Sequence, residues 1–185
     1  MDVWNCCPLT KATYKERKLT NTIVLHRCTV AKTPGDLVKA FADTTKFAAG
    51  FYTGGKTPYH FWIQENGQIG QLVPLAYNVP GAVQYNARSI QIAWERDTRK
   101  VPLKAIQRDA VIWLCATLNE AFGGNLKIVG HTEEAAASTD PNKVCPGNKT
   151  SLTRLRQDIV ASTDDIHVLN PYTWLKNHGF EIKYG

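Results

Sequence analysis

Short runs of apolar and β-branched residues, set apart by segments long enough for helices, constrain this chain more than any other feature. Thr22-Ile23-Val24-Leu25-His26 is too short for a buried helix and has the composition of a buried strand. Ser89-Ile90-Gln91-Ile92-Ala93-Trp94 reads the same way, and Leu126 to Val129 forms a shorter strand that leads directly into Gly130-His131. Between them, Tyr59 to Gln64 and Ile69 to Val73 flank Glu65-Asn66-Gly67-Gln68, whose Asn-Gly pair signals a hairpin. Helical spacing appears in Leu37, Val38 and Phe41 after Thr33-Pro34-Gly35-Asp36. It is strongest in Ile106, Ala110, Val111, Trp113, Leu114 and Leu118, with Pro102 in the first turn and Gly123-Gly124 at the end. Ser151 to Val160 is a further helix, Pro171 to Asn177 a short last one, and Gly50 to Pro58 a glycine-rich loop. The pattern predicts an α/β fold: a single domain with a mixed central β-sheet flanked by helices.

The chain has 185 residues and no repeat, low-complexity tract or linker that would divide it. No apolar run approaches the ~20 residues of a membrane span, so membrane insertion is not expected. The start, Met1-Asp2-Val3-Trp4-Asn5-Cys6-Cys7-Pro8, has neither a basic nor an apolar leader region. Synthesis in the cytoplasm without a signal peptide is therefore the expectation. A net charge of +6 suits an anionic partner, but the basic residues form no single stripe and no nucleic acid is expected. Both basic clusters, Lys11/Lys15/Arg17/Lys18 and Arg96/Arg99/Lys100/Lys104, read as solvated faces. The five cysteines, Cys6, Cys7, Cys28, Cys115 and Cys145, are odd in number and irregularly spaced, which argues against a disulfide framework.

Chemistry concentrates at two histidines and a cysteine. His26 ends one apolar strand and His131 follows another, while Cys145 sits in a loop stiffened by Pro141 and Pro146-Gly147. Each histidine alone is equally a hydrogen-bonded core residue. Together the three would make a zinc site of three protein ligands with the fourth position open, the catalytic arrangement. Zinc there would polarise a carbonyl and make water nucleophilic near neutral pH.

In order along the chain stand Ile23-Val24-Leu25-His26, Pro58-Tyr59-His60-Phe61-Trp62-Ile63 with Asn66-Gly67 in the next turn, Asn86 before Ser89-Ile90-Gln91-Ile92, Gly130-His131, and Lys143-Val144-Cys145-Pro146. This order resembles the zinc-dependent N-acetylmuramoyl-L-alanine amidases of the type-2 class, whose fold is shared with peptidoglycan recognition proteins and amidase-type phage lysozymes. The resemblance spans roughly residues 20–160, and Lys-x-Cys-Pro after Gly-His is its most specific part. It implies a catalytic domain over 20–160, an N-terminal segment 1–20, and a C-terminal segment 161–185 packed on the same domain. It also implies zinc ligands His26, His131 and Cys145, with Tyr59 beside the attacking water, Lys143 stabilising the oxyanion, and Asn86 as a weaker candidate for substrate binding.

The implied activity is hydrolysis of the amide joining N-acetylmuramic acid to L-alanine in bacterial peptidoglycan, by a monomeric endolysin acting on the cell wall. Some members carry a Glu general base where this chain has Ala93, so the branch relying on Tyr and Lys is the nearer one. Cys28 shares a strand face with His26 by period two and reads as packing. His60 reads as a buried hydrogen-bonded residue, and His167 and His178 as surface. Two alternatives stand beside the enzyme. One is a non-catalytic peptidoglycan-binding module on the same fold, which would typically lack the cysteine ligand. The other is a cysteine hydrolase using Cys28 or Cys145, which a chelator would not inhibit.

Overall fold

The structure, a computed structural model, describes residues 3–5, 14–29, 36, 57–134, 144–163, 175–177 and 180. Strand β2 (Thr22–Cys28) runs inside a six-stranded sheet with β1 (Val3–Asn5), β3 (Phe61–Ile63), β4 (Ile69–Gln71), β5 (Ser89–Glu95) and β6 (Lys127–Gly130). The order across the sheet is β1-β4-β3-β5-β2-β6. Every neighbouring pair is parallel except the β3–β4 hairpin, so the sheet is mixed as the alternation of elements predicts. Within this set, β1 has no counterpart among the expected strands.

Alternation along the strands divides the sheet into two working faces. Ile23 and Leu25 of β2, Ile90, Ile92 and Trp94 of β5, and Phe61 and Ile63 of β3 lie on one side with helix α1 (Ala105–Ala121) and helix α3 (Leu152–Thr163) in the main core. The residues between them do not join that core. Ala93 and Trp62 pack instead with Tyr14, Cys28, Tyr59, Leu72, Val73, Tyr77 and Val79, and Val24 with Ala82, Tyr85 and Val129. Because both faces are covered, the strands read as nearly continuous apolar runs.

Several boundaries move for identifiable reasons. β2 continues two residues past His26, which is an interior strand residue and not a strand end. Tyr59 lies outside β3, because Thr57 Oγ1 accepts its N–H at 3.1 Å and donates to its carbonyl at 2.9 Å, withdrawing both groups from the ladder. In the hairpin only Gly67 takes a positive φ, 83°, so the turn uses one left-handed glycine and not a left-handed Asn-Gly pair. Pro102 precedes α1: Lys104 is still extended, and the Leu103 N–H goes to Thr150 Oγ1 at 3.3 Å.

The C-terminus of α1 matches the Gly-Gly signal. Gly123 N–H reaches Glu120 O and Gly124 N–H reaches Asn119 O, with φ of 90° and 77°, a Schellman closure. Ser151 caps α3 by accepting the Arg154 N–H on its Oγ. Of the expected helix beginning near Asp36 only Asp36 is described, and it is helical; the Gly50–Lys56 part of the loop, His167, His178 and the start of the last helix at Pro171 lie outside the described residues, as do Cys6 and Cys7. Leu175 and Phe180 pack into the main core. Cys28, Cys115 and Cys145 are in no disulfide, and no described helix is long and apolar enough to cross a membrane.

The first basic cluster departs from expectation at one residue. Lys15 and Lys18 are exposed, but Arg17 turns inward and donates to Leu75 O and to Ser89 O, the latter at 2.9 Å. The second cluster is a surface ion-pair set, with Arg96 and Lys104 on Glu65 and Arg99 on Asp97. Lys11 lies outside the described residues.

Candidate metal centre

Parallel pairing of β2 with β6 ends at Leu25 opposite Gly130, whereas pairing with β5 continues to Cys28 opposite Glu95. His26 therefore sits where its β6 neighbour stops and the chain turns into helix α2 (His131–Glu134). That turn brings the His131 ring to 4.6 Å from the His26 ring, centre to centre. Gly130 leaves room for Leu152 and Pro146 to pack beside it: a Cβ there would lie 2.7 Å from Leu152 Cδ1 and 2.8 Å from Pro146 Cδ.

Cys145 arrives from a separate loop, and Thr132 ties it down. The Thr132 hydroxyl accepts the Cys145 N–H at 3.0 Å and donates to the Cys145 carbonyl at 2.9 Å, while Thr132 N–H bonds the same carbonyl at 3.0 Å. Behind it, Arg27 Nε donates to Val144 O at 3.2 Å, and the Thr98 hydroxyl donates to Pro146 O. Gly147, at φ 122°, passes so close to the Thr98 backbone that a Cβ would lie 2.4 Å from its carbonyl carbon.

These contacts gather one ligand atom each from His26, His131 and Cys145 within 4.8 Å of one another. The His26 Nδ1 to Cys145 Sγ separation is 3.9 Å. Zinc–nitrogen and zinc–sulfur bonds of ~2.0–2.3 Å at a tetrahedral angle put ligand atoms ~3.5 Å apart, so the donor set fits one zinc ion with small adjustment. Burial draws His26 down to about 3, helped by His131 and opposed by Gln91, and burial lowers His131 as well. Both rings are thus neutral, the form that binds a metal. Burial raises the Cys145 thiol, against the pull of Arg27 and Arg99.

Tyr59 is buried, its ring 5.2 Å from the His26 ring. Lys143 lies outside the described residues, as does Asp140. Asn86 accepts the Ala82 N–H at 2.8 Å on its Oδ1, a contact within its own loop. Cys28 packs in the aromatic cluster and is not among the three gathered ligands. Ala93, opposite His26 in β5, is fully buried and supplies no carboxylate.

His60 is fully buried and hydrogen-bonded, as its place in the sequence suggests. Its Nδ1 accepts the Gln91 N–H at 3.0 Å, so its proton is on Nε2, 2.8 Å from Tyr77 O. Burial, then the Arg17 guanidinium, hold it well below the usual imidazole range. Thr132 and Gln91 are the two residues that sequence reasoning passed over. Thr132 was legible only as the neighbour of His131, and Gln91 only as a polar residue interrupting an apolar strand.

The family described as N-acetylmuramoyl-L-alanine amidase matches residues 15–148. No curated protein sequence matches the chain. Among solved structures it is similar to the N-acetylmuramoyl-L-alanine amidase LysC from Clostridium intestinale, with a TM-score of 0.70 and 19% identity over 86% of this chain and 97% of that one. The Ph2119 endolysin of a Thermus scotoductus bacteriophage gives 0.67 and 19% over 84% and 97%. Peptidoglycan recognition protein LE, in complex with tracheal cytotoxin, a monomeric diaminopimelic acid-type peptidoglycan, gives 0.64 and 12% over 80% and 89%.

Proposed function

Because this chain belongs to the N-acetylmuramoyl-L-alanine amidase family, we propose that it hydrolyses peptidoglycan at the amide between N-acetylmuramic acid and L-alanine, as a zinc-dependent, monomeric endolysin acting on the bacterial cell wall. The observation that carries the reading is the convergence of His26, His131 and Cys145 from three separate parts of the chain. A cysteine among the three donors supports hydrolysis over recognition alone. Zinc held by these groups supplies Lewis acidity to the amide carbonyl and makes water nucleophilic near neutral pH.

The remaining work falls to the chain. Tyr59, whose ring stands against His26, orients the attacking water through its hydroxyl and takes part in moving its proton. Lys143, two residues before Cys145 in sequence, directs its ammonium at the carbonyl oxygen as negative charge develops there. Water adds to the carbonyl carbon, the C–N bond breaks, and the L-alanine nitrogen leaves with a proton as a free amine. The muramic acid side keeps a carboxylate.

The test is a digest of purified peptidoglycan read by mass spectrometry. The expected products are free stem peptides with L-alanine amino termini and intact glycan strands. New reducing sugar ends as the main product would overturn the assignment, and binding without turnover by zinc-loaded protein would favour the recognition module.

A further inference from the structure

The strand residue Gln91 is fully buried and lies on the same side of the sheet as His26, opposite Val24 on the neighbouring strand and so two residues away in register. His26 Nε2 and Gln91 Oε1 are 2.6 Å apart. Gln91 Nε2 in turn donates to Ser89 Oγ, and Ser89 Oγ donates to the carbonyl of Tyr85 at 2.6 Å.

This chain of hydrogen bonds has only one consistent direction. A backbone carbonyl cannot donate, so the single Ser89 proton goes to Tyr85 O and Ser89 Oγ must accept. The Gln91 amide nitrogen therefore faces Ser89 and its oxygen faces His26. An amide oxygen only accepts, so the His26 proton is on Nε2 and the lone pair is on Nδ1, the atom facing Cys145 Sγ at 3.9 Å.

Gln91 is also held from behind. Its N–H bonds His60 Nδ1 at 3.0 Å and its carbonyl accepts the His60 N–H at 2.8 Å. Room for the carboxamide comes from Gly81, where a Cβ would lie 2.9 Å from Gln91 Oε1 and 2.3 Å from Pro58 O.

We propose that Gln91 is a positioning residue that sets the tautomer and ring orientation of His26, so that Nδ1 is aimed at the ligand cluster before any metal binds. The proposal rests on the metal reading for its functional consequence, but its structural part concerns the metal-free protein. A ligand's outer hydrogen-bond partner commonly governs metal affinity ~10–100-fold.

The experiment pairs two readouts on folded protein checked by circular dichroism. The first is the His26 tautomer in metal-free, 15N-histidine-labelled protein by long-range nitrogen–proton correlation. The second is zinc affinity by competition with a chromophoric chelator. Wild type is expected to show one Nε2–H tautomer. Gln91→Leu is expected to show a tautomer mixture and zinc binding weaker by ~10–100-fold, with Gln91→Glu restoring most of the affinity because a carboxylate accepts the same proton. Ser89→Ala keeps the carboxamide but frees it to flip, and is expected to give mixed tautomers even where Gln91→Leu fails to fold.

An Nδ1–H or mixed population in wild type would overturn the proposal. So would wild-type zinc affinity in folded Gln91→Leu, or a single Nε2–H tautomer in Ser89→Ala alongside a Gln91→Leu that does not fold. Wild-type protein that binds no zinc but keeps the single Nε2–H tautomer would overturn the metal reading and the functional half of the proposal, leaving the Gln91–His26 assignment standing.

Discussion

A single hydroxyl, that of Thr132, fastens the Cys145 backbone at both its N–H and its carbonyl. Thr132→Val keeps the shape and removes both bonds, leaving a part-buried amide in need of a partner. The expected loss is about 1–3 kcal/mol of stability, together with weaker zinc binding, read by urea unfolding and chelator competition. Wild-type zinc affinity in that variant would mean that the loop is held by other contacts. Tyr59 and Lys143 are proposed to act on the substrate without ligating zinc, so Tyr59→Phe and Lys143→Ala should retain zinc and fold. Removal of an oxyanion donor lowers kcat by ~10²–10³, the fall expected for Lys143→Ala. For Tyr59→Phe, loss of a proton-transfer group predicts ~10² or more. Steady-state rates on soluble muropeptides, with zinc content measured in parallel, check both. Cys145→Ser should instead lose the metal, seen directly by elemental analysis.

Among the elements, the junction between α1 and β6 leads into the strand that ends just before His131. Asn119 closes it from inside: its Oδ1 accepts the Leu126 N–H at 2.8 Å and its Nδ2 donates to Gly124 O at 3.3 Å. Asn119→Ala strands a buried amide N–H and is expected to cost about 1–3 kcal/mol, measured by chemical denaturation. Its effect on kcat in the folded fraction should be small, since β6 remains paired to β2 through four registered positions. A large fall in kcat with unchanged stability would show that the junction tunes the site and not only the fold.

Across the whole molecule, burial of neutral histidines makes stability depend on pH. His60 is held well below its ordinary value and His26 is drawn from 6.5 to about 3. As pH falls below about 6.5 the unfolded chain takes up protons that the folded chain refuses, so stability decreases toward acid. Each such proton is worth ~1.4 kcal/mol per pH unit inside its window. The metal-free protein should therefore unfold at progressively lower urea concentration from pH 7 to pH 5. His60→Gln, which removes one titrating group beside Arg17, should flatten that slope by about one proton. A slope that is flat or inverted in wild type would contradict neutral burial. Zinc held at the proposed site would favour the folded chain by mass action, so chelation should then lower Tm at every pH in that range.

Local pattern was enough for a mixed α/β architecture, because β-branched runs and helical periodicity are properties of neighbouring residues. It was enough to mark the Schellman closure at Gly123-Gly124, where left-handed backbone requires glycine. His26, His131 and Cys145 were legible as a set through the family resemblance that the Gly-His and Lys-x-Cys-Pro pieces carry, because their spacing alone leaves each histidine equally a core residue. Contacts between distant segments were not legible in this way. Arg17 looked like one of four solvated basic residues, yet it reaches carbonyls 58 and 72 positions away. The pairing of β1 with β4 joins chain separated by more than sixty residues, with no local mark in Val3-Trp4-Asn5. Gln91 reads as an ordinary polar interruption until packing places its carboxamide between His26 and Ser89. Residue type determined which groups could bind a metal. Only tertiary packing decided which nitrogen of His26 faces Cys145, because that choice depends on a hydrogen-bond chain running through residues 26, 91, 89 and 85.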